Sequence, residues 1–337
     1  MIAVGLLSGG LDSTLAAKMI LDQGIEVHAV NFVSPFCTCT PKSAGCSAVI
    51  TAVKQLGDIP LKRMSLGDEF LEIVKNPKHG HGRNLNPCID CRIAKLRKAG
   101  EYMKEIGAAF LFTGEVLGQR PMSQHRRALE EIEKDSGLAG YILRPLSAGL
   151  LEPTIPEKEG LVDREKLLAI NGRGRSKQIE MAEDYEIKDY HCAGGGCLLT
   201  DSSFSMKLKD YFDHNPVPSS SDMPLLRVGR HFRLTDGTKV VIARDAEECN
   251  SFARLLRECD TLIRPGNFNG PSAIVQGSAI TDGMSILLSY IKKETLDDAY
   301  LVVKTGASES HLAKQDWPAA LTASPVDDGA KNGSRRE

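Results

Sequence analysis

The fold is decided by one stretch near the N-terminus, IAVGLLSGGLDSTLAAKMIL, residues 2–21. Its first six residues are an uninterrupted apolar run, which predicts a buried strand, and apolar residues then recur at helical spacing over residues 11–23. Two glycines and three hydroxyl residues lie in the turn between them, residues 8–14. Such a turn binds anions, because backbone N–H groups and the positive end of the helix dipole point at the ligand. We therefore predict a phosphate-binding loop.

Strand-like and helical segments alternate after this loop. Strands are predicted at 25–33, 61–64 and 109–113, and helices at 47–56 and 89–106. This alternation predicts an α/β fold, a doubly wound parallel sheet with helices on both faces. Ligands of such sheets bind at the carboxyl ends of the strands. The phosphate loop and the segments after Val33 and Thr113 all lie at such ends.

The chain is predicted to contain two domains and a tail. The first covers residues 1–203. Residues 204–317 combine strand-like runs, one of them at 225–234, with helices at 246–258 and 282–293, and predict a smaller α+β domain. Residues 164–170 are a further predicted helix of the first domain. Residues 318–337, rich in Ala, Ser, Asp, Gly and charge, predict a disordered tail.

Charge and hydropathy narrow the classes of function. The formal net charge is −2, so nucleic acid would have to bind local basic patches. No apolar run reaches 18 residues and no basic leader precedes the first strand, so we expect a cytoplasmic protein without a membrane span. Two candidate basic patches are a loop before the cysteine helix and a strand of the second domain: Lys75, Lys78, His79, His81 and Arg83; Arg227, Arg230, His231 and Arg233.

Nine cysteines suggest metal or redox chemistry, because a cytosolic chain of this size needs no disulfide staples. Cys88 and Cys91 stand three positions apart at a predicted helix N-terminus, which favours the thiolate, and Cys197 follows three glycines. Cys249 and Cys259 are predicted to be core residues.

Three kinds of chemistry fit the clustered cysteines. The favoured one is a [4Fe–4S] cluster on Cys88, Cys91 and Cys197, whose fourth iron would hold sulfide. The second is a persulfide relay between Cys88 and Cys197. The third is a Zn²⁺ site that adds Cys192. The roles of Cys37, Cys39 and Cys46 are left open.

The loop at residues 8–14 lacks the Gly-Lys-Ser/Thr of a Walker A motif. It is similar to the PP-loop of the N-type ATP pyrophosphatases, whose fold is called adenine nucleotide alpha hydrolase-like. In that family ATP is cleaved between its α- and β-phosphates, and the loop holds the pyrophosphate end. The carboxylate of Asp12 would repel phosphate, so it is expected to hold Mg²⁺ or to arrange the loop.

Two further segments resemble the tRNA thiouridine synthetases. Residues 113–124 are similar to a segment of the 4-thiouridine synthetases, and residues 86–91, Asn-Pro-Cys-Ile-Asp-Cys, to a motif of the 2-thiouridine synthetases. The glycines at 194–196 and Cys197 fall where those enzymes carry a further functional cysteine. The loop and the resemblance together give a set of expected ATP contacts: Leu6, Leu7, Ser8, Gly9, Gly10, Asp12, Ser13, Thr14, Asn31, Phe32, Arg92, Gly114 and Gln124. The expected catalytic residues are Asp12, Cys88 and Cys197.

The resemblance implies an ATP-dependent tRNA sulfurtransferase that adenylates a uridine carbonyl oxygen and replaces it with sulfur, with 4-thiouridine favoured over 2-thiouridine. The expected partners are tRNA and a sulfur donor, a cysteine desulfurase or sulfide; a homodimer is left open. Because the loop begins at Ser8, no RNA-binding domain is expected ahead of it. The second domain would take that role, since it resembles the RNA-binding module of ribosome-quality-control and fibronectin-binding-type proteins. A sulfur-inserting enzyme or PP-loop ligase for a small molecule and a non-catalytic, nucleotide-gated RNA-binding protein stay open.

Overall fold

The computed structural model describes residues 1–37, 45–190, 197–292 and 297–327, with only the backbone for 45–47. The chain divides into two compact units, Met1–Thr200 and Asp201–Glu337, each with its own sheet. Cys39 and Cys192 lie outside the described residues, as do the glycines at 194–196 and the side chain of Cys46.

The first unit alternates strands and helices along most of its length. Its elements, in chain order, are β1 (Ile2–Leu6), α1 (Leu11–Leu21), β2 (Glu26–Val33), α2 (Gly45–Gln55), β3 (Leu61–Ser65), α3 (Glu69–Lys75), α4 (Cys88–Glu105), β4 (Phe110–Thr113), α5 (Arg126–Ser136), β5 (Ile142–Leu143), α6 (Ile155–Lys158) and α7 (Ser176–Asp184).

The five strands of the first unit form a parallel sheet in the order β3-β2-β1-β4-β5, which confirms the predicted doubly wound α/β fold. Adjacent residues of β1 belong to cores on opposite faces, Ala3 to one and Val4 to the other, as strand alternation requires. The strand order reverses at β1, and Leu6 pairs with Thr113 at the end of β4. This reversal opens a crevice between the carboxyl ends of β1 and β4.

The second unit contains a six-stranded antiparallel sheet in the order β11-β10-β8-β9-β7-β6, which confirms the separate, smaller α+β domain. Its elements are α8 (Ser202–His214), α9 (Met223–Leu226), β6 (Arg230–Arg233), β7 (Lys239–Ile242), α10 (Ala246–Leu255), β8 (Thr261–Pro265), β9 (Ala273–Gln276), α11 (Ile280–Leu288), β10 (Tyr300–Thr305) and β11 (Ser308–Ala313). Val240 and Val241 belong to two different cores of the sheet.

Two predicted elements are wrong. The strand expected at 225–234 is a short helix, α9, followed by the four residues of β6. Pro224 favours the first turn of α9. Gly229 takes a left-handed conformation with φ +74°, which separates α9 from β6. The helix expected at 164–170 is a single 3₁₀ turn, Arg164–Lys166. Beyond it the backbone extends, and the N–H groups of Leu168 and Ile170 donate to the carbonyls of Pro145 and Leu146.

The segment predicted as a disordered tail contacts the second unit at three of its described residues. The N–H of Leu321 donates to the carbonyl of Ser285, and the N–H of Val326 donates to the carbonyl of His231. The Asp327 carboxylate forms an ion pair with the ammonium of Lys207 at 3.7 Å. These contacts connect residues 321–327 to the second unit, and residues 328–337 of the predicted tail lie outside the described part of the chain. No helix among the described residues is long and apolar enough to cross a membrane.

The buried Lys239 makes the stability of the second unit depend on pH. Its side chain is 4% exposed, with the ammonium 3.6 Å from Asp210, and burial lowers the pKa of Lys239 to about 8. The unfolded chain therefore binds more protons than the folded chain between pH 8 and the ordinary value of 10.5. We expect the free energy of unfolding to rise through this window, by up to about 3 kcal/mol from this group.

Urea unfolding followed by the fluorescence of Trp317, the one tryptophan of the chain, measures this effect. Lys239→Met should abolish the rise, whereas Lys209→Met, at an exposed position of α8, should retain it. Equal pH dependence of the wild type and Lys239→Met would show that Lys239 is not the source.

Candidate active site

The loop at residues 8–14 is held by its own hydroxyl groups. The Ser13 hydroxyl donates to the carbonyl of Gly10 at 2.9 Å and accepts from the backbone N–H of Ser8 at 3.2 Å. Gly9 has φ +78°, and a Cβ there would lie 2.5 Å from the backbone of Ala48 in α2. The sharp turn at Gly9 thus brings the loop to the N-terminus of α1 with the backbone free to approach an anion.

The end of β4 packs directly on this loop. A Cβ on Gly114 would lie 2.4 Å from the backbone nitrogen of Ser13 and 2.5 Å from the carbonyl carbon of Asp12, so only glycine fits. From the other side, the Asn31 side-chain amide at the end of β2 donates to the carbonyl of Leu7 at 2.9 Å. The ends of three strands therefore set the position of the loop.

A cavity of about 460 Å³ opens over the loop, which is within the range of small-molecule sites. Most residues predicted to contact ATP line it: Leu6, Leu7, Ser8, Gly10, Asp12, Ser13, Asn31, Phe32, Arg92, Gly114 and Gln124. Gly9 and Thr14 do not. The Thr14 hydroxyl donates to the carbonyl of Gly10, and its contact with ATP stays a prediction.

The guanidinium of Arg92 is held in the cavity wall by a buried carboxylate. Glu115, just after β4, lies 3.1 Å from Arg92 and 3.1 Å from the buried Arg144. Burial alone would raise the pKa of Glu115, but Arg92 and Arg144 outweigh it and keep that pKa below the usual value. Arg92 is thus fixed by a charged partner and is not a solvated helix residue.

The structure adds cationic side chains that the sequence did not single out as ATP contacts. The cavity is lined by five cations, Arg63, Arg92, Lys95, Arg120 and Arg175, against two carboxylates, Asp12 and Glu115. This excess of positive charge suits a polyanionic ligand. The alternating Gly and Arg residues at 171–175, just before a helix, are a sequence signal that could have indicated Arg175 as an anion contact. No sequence pattern distinguishes Arg120 from a surface arginine.

Asp12 is tied to one of these arginines. Its carboxylate accepts from the side-chain amide of Gln119 at 3.1 Å and from Arg175 at 3.3 Å. The Nε of Arg175 is buried and has no hydrogen-bond partner within the described residues. An arginine donor without a partner at a cavity wall is suited to an anionic oxygen.

Four cysteines line the same cavity: Cys37, Cys88, Cys91 and Cys197. Burial raises the pKa of Cys88 and raises that of Cys197 to about 11. The predicted thiolate-favouring effect of the helix N-terminus on Cys88 is therefore outweighed by desolvation and by the charge of Cys91. Cys37 follows β2 by four residues, at the carboxyl end of a strand, where the ligands of such sheets bind. Cys259, predicted to be in the core, is exposed.

The predicted metal ligands share a cavity but do not form a metal-binding group. Among the described residues, no set of three or more His, Cys, Asp or Glu side chains is arranged to hold a metal ion. Cys88 and Cys91 lie on the first turn of α4, and Cys197 precedes a separate 3₁₀ turn. The described residues therefore show no arranged ligand set for a [4Fe–4S] cluster, and the Zn²⁺ alternative includes Cys192, which lies outside the described residues.

The two basic patches proposed for RNA are largely engaged within the protein. In the loop before α4, Lys78 forms an ion pair with Asp135 and His79 forms one with Asp90. In the second unit His231 is fully buried, and Arg233 binds Asp210 through two hydrogen bonds. Arg227 lies in the loop after α9 and not in β6. His231 and Arg233 therefore do not form an exposed basic surface, whereas Lys78, His81 and Arg83 of the loop before α4 are exposed.

Sequence comparison finds similarity between the first unit and a known family. The profile of the family described as Thiamine biosynthesis protein (ThiI) matches residues 2–150. A tRNA-specific 2-thiouridylase from Dichelobacter nodosus is 27% identical over 225 residues, which is 62% of this chain and 55% of that protein. Residues 2–150 of the first unit are thus similar to PP-loop proteins of the tRNA thiouridylase branch. The chain spans about half the length of this curated relative.

Other comparisons extend the likeness to both units. A probable tRNA sulfurtransferase from Methanosarcina acetivorans is 30% identical over 128 residues, which is 34% of this chain and 28% of that protein. A 4-thiouridine synthetase–RNA complex with bound ATP is 24% identical, covers 67% of this chain and 52% of that one, and superposes with a TM-score of 0.38. Beyond the PP-loop domain, the profile described as NFACT protein RNA binding domain matches residues 229–316.

Gly114→Ala tests whether the contact between β4 and the loop forms the nucleotide site of the PP-loop domain. The added methyl group must displace the backbone of Asp12 and Ser13, so we expect the Kd for ATP to rise about tenfold or more, roughly 1.4 kcal/mol. Isothermal titration with ATP and Mg²⁺ measures it. Gly174→Ala is the matched control, because no atom lies within 4 Å of its added Cβ. Unchanged affinity in Gly114→Ala would place the nucleotide elsewhere.

Proposed function

We propose that the chain is an ATP-dependent tRNA sulfurtransferase. The observation that carries this proposal is that a single cavity contains both the phosphate loop and four cysteines. An ATP pyrophosphatase that only adenylates its substrate or forms an amide bond needs no thiol beside the nucleotide. An enzyme that transfers sulfur needs a thiol there to carry the sulfur. The names of the curated relatives, thiouridylases and sulfurtransferases, agree with this chemistry.

The residues of the cavity suit adenylation. The loop N–H groups and Arg175 would bind the pyrophosphate end of ATP, while Arg92 and Arg120 would balance charge near the α-phosphate. A uridine carbonyl oxygen attacks the α-phosphorus, and pyrophosphate leaves. Sulfur then attacks the activated carbon and AMP leaves. Because Arg92 is already fixed by Glu115, little reorganisation is needed as charge develops.

Asp12 is the residue that would hold Mg²⁺. Its carboxylate lies at the phosphate loop and lines the cavity, and carboxylate oxygen together with phosphate oxygen is the usual ligand set of Mg²⁺. When bound, the ion would neutralise the β- and γ-phosphates. Arg175, now paired with Asp12, would then be available to the pyrophosphate.

The second unit is the proposed tRNA-binding part of the chain. The family match at residues 229–316 supports this, since the family is described as an RNA binding domain. The proposed substrate is therefore tRNA, with a cysteine desulfurase or sulfide as sulfur donor. We propose 4-thiouridine as the product, on the resemblance of residues 113–124, although the names of several curated relatives specify 2-thiouridine. The [4Fe–4S] cluster stays a prediction that the described cysteines do not support.

Arg92→Met tests the adenylation step. With ATP, sulfide and tRNA that lacks thiolated uridine, we expect pyrophosphate release to fall about a hundredfold, the usual effect of removing one group that stabilises the transition state. The control is Arg97→Met, which changes an exposed arginine of the same helix that does not line the cavity. Similar loss in both variants would argue for a general effect on α4 instead of a role in chemistry.

Nucleoside mass spectrometry of the product and of a gene-deletion strain tests the substrate. We expect loss of 4-thiouridine in the deletion strain. Unchanged 2- and 4-thiouridine would contradict tRNA thiolation. Pyrophosphate release without tRNA would favour a small-molecule substrate, and ATP binding without pyrophosphate release would favour a nucleotide-gated RNA-binding protein.

A further inference from the structure

The ammonium of Lys207 is nearly buried in the second unit, beside a carboxylate that comes from the C-terminal segment. The side chain of Lys207 in α8 is 7% exposed, and its Nζ lies 3.7 Å from Asp327. The same ammonium donates to the carbonyl of Gly229 at 3.2 Å. Burial lowers the pKa of Lys207 below its usual value, and the charge of Asp327 opposes this shift. A buried cation of this kind requires a neighbouring anion, because an unpaired buried charge is costly.

Two further groups complete a site for an anion. Ser203 lies four residues before Lys207 on the same face of α8, and its hydroxyl donates to the Asp327 carboxylate. Arg244 follows β7 by two residues, and its pKa is raised by hydrogen bonds to Glu248 and, to a smaller extent, by the charge of Asp327. A hydroxyl, an ammonium and a guanidinium thus surround one carboxylate. The same three kinds of donor bind phosphate oxygen in proteins.

The guanidinium of Arg244 is oriented before any ligand arrives. Its Nε donates to the carboxylate of Glu248 at 2.9 Å. That carboxylate also accepts from the backbone N–H groups of Arg244 and Gly229, at 2.7 and 3.1 Å, and Glu248 is 7% exposed. The side chain of Arg244 itself is 47% exposed. A ligand that approaches from solvent therefore meets a fixed cation at the entrance of the site, with Lys207 behind it.

The segment that carries Asp327 is held on the surface by few contacts. None of residues 318–327, all of which the structure describes, is buried, and Leu321 is 47% exposed. The N–H groups of Leu321 and Val326 supply two backbone hydrogen bonds to the second unit. Because little apolar surface is buried here, detaching the segment costs little hydrophobic free energy. An anion that binds at Lys207 can therefore replace Asp327.

We propose that Ser203, Lys207 and Arg244 bind a backbone phosphate of RNA, and that Asp327 occupies this site while RNA is absent. This rests on the proposed tRNA-binding role of the second unit. A phosphodiester resembles a carboxylate in carrying one negative charge on two free oxygens. It can therefore replace the Asp327 carboxylate without leaving the buried ammonium unpaired. RNA and the segment at 321–327 compete for the same donors, so the segment must detach when RNA binds there.

Most of the site lies outside the part of the chain that matches the RNA-binding family. Ser203 and Lys207 precede the matched residues 229–316, and Asp327 follows them, whereas Arg244 lies within them. The competition is therefore a property of the segments that flank the matched residues in this chain. It adds a control of RNA access to the binding role proposed for the second unit.

Asp327→Asn in the full-length chain tests the competition. The amide keeps the size of the side chain but removes its charge, so the site is open more of the time. We expect the Kd for unmodified tRNA to fall about fivefold or more. Fluorescence anisotropy of labelled tRNA at one fixed salt concentration measures it, because phosphate contacts depend on salt. Asp316→Asn removes the same charge at an exposed position of the second unit and should behave as the wild type.

Lys207→Met tests whether the gain acts through the buried ammonium. We expect weaker tRNA binding, and a slope of the logarithm of the binding constant against that of salt concentration that is smaller by about one, because one phosphate contact is lost. In the double variant, Asp327→Asn should bring no further gain, since the two residues act on one site. Arg244→Met, at a half-exposed position, should weaken binding in the same direction and does not disturb the buried ammonium.

Hydrogen exchange measures the release of the segment directly. Saturating tRNA should speed exchange at the amides of Leu321 and Val326, which donate to backbone carbonyls in the free chain. Inorganic phosphate at the same ionic strength should leave that exchange unchanged. Faster exchange with inorganic phosphate alone would overturn the assignment of the site to RNA.

The results separate this proposal from the proposed function. If tRNA binds while exchange at Leu321 and Val326 stays the same, the competition is wrong and the tRNA-binding role stands. Equal affinity of Asp327→Asn and Asp316→Asn for tRNA leads to the same conclusion. Absence of tRNA binding in the wild type and in every variant would contradict the tRNA-binding role and the competition together.

Discussion

The close approach of β4 to the phosphate loop is the constraint on which the site depends. Parallel pairing places Leu6 opposite Thr113, so the residues that follow the two strands meet with no space for a side chain at Gly114. Glu115 comes next in the chain and is thereby buried beside α4. Its position gives Arg92 a fixed partner in the cavity wall. One backbone contact therefore sets both the shape of the loop and the charge that faces a nucleotide.

Carboxylates hold two of the five cavity cations, Arg92 and Arg175, in place. Glu115 fixes Arg92 and Arg144, and Asp12 fixes Arg175. Without such partners, the long cationic side chains of the cavity would move freely in solvent. Ligand binding would then have to order them, and the loss of side-chain conformational entropy would weaken binding. Here that entropy is lost during folding. The ligand meets donors that are already oriented, with a net excess of positive charge left over.

Local patterns predicted the sheet and the loop, because strand, turn and helix follow one another within residues 2–21. They did not reveal Arg120 or Arg175, whose loops reach the cavity through the Leu117–Asn171 bridge and the ion pair with Asp12. Such long-range contacts leave no periodicity in the sequence. In the second unit, alternation suggested a basic face around His231, but the structure buries that side chain completely, since a four-residue strand carries too little pattern to assign its faces.

The bridge between Cys37 and Cys197 joins positions 160 residues apart, near opposite ends of the first unit. Such a contact has high contact order and closes late, after most of the intervening chain is ordered. During synthesis the thiols therefore stay apart until nearly all of the unit has emerged. An incomplete chain cannot align them, and only a folded first unit brings these two positions together.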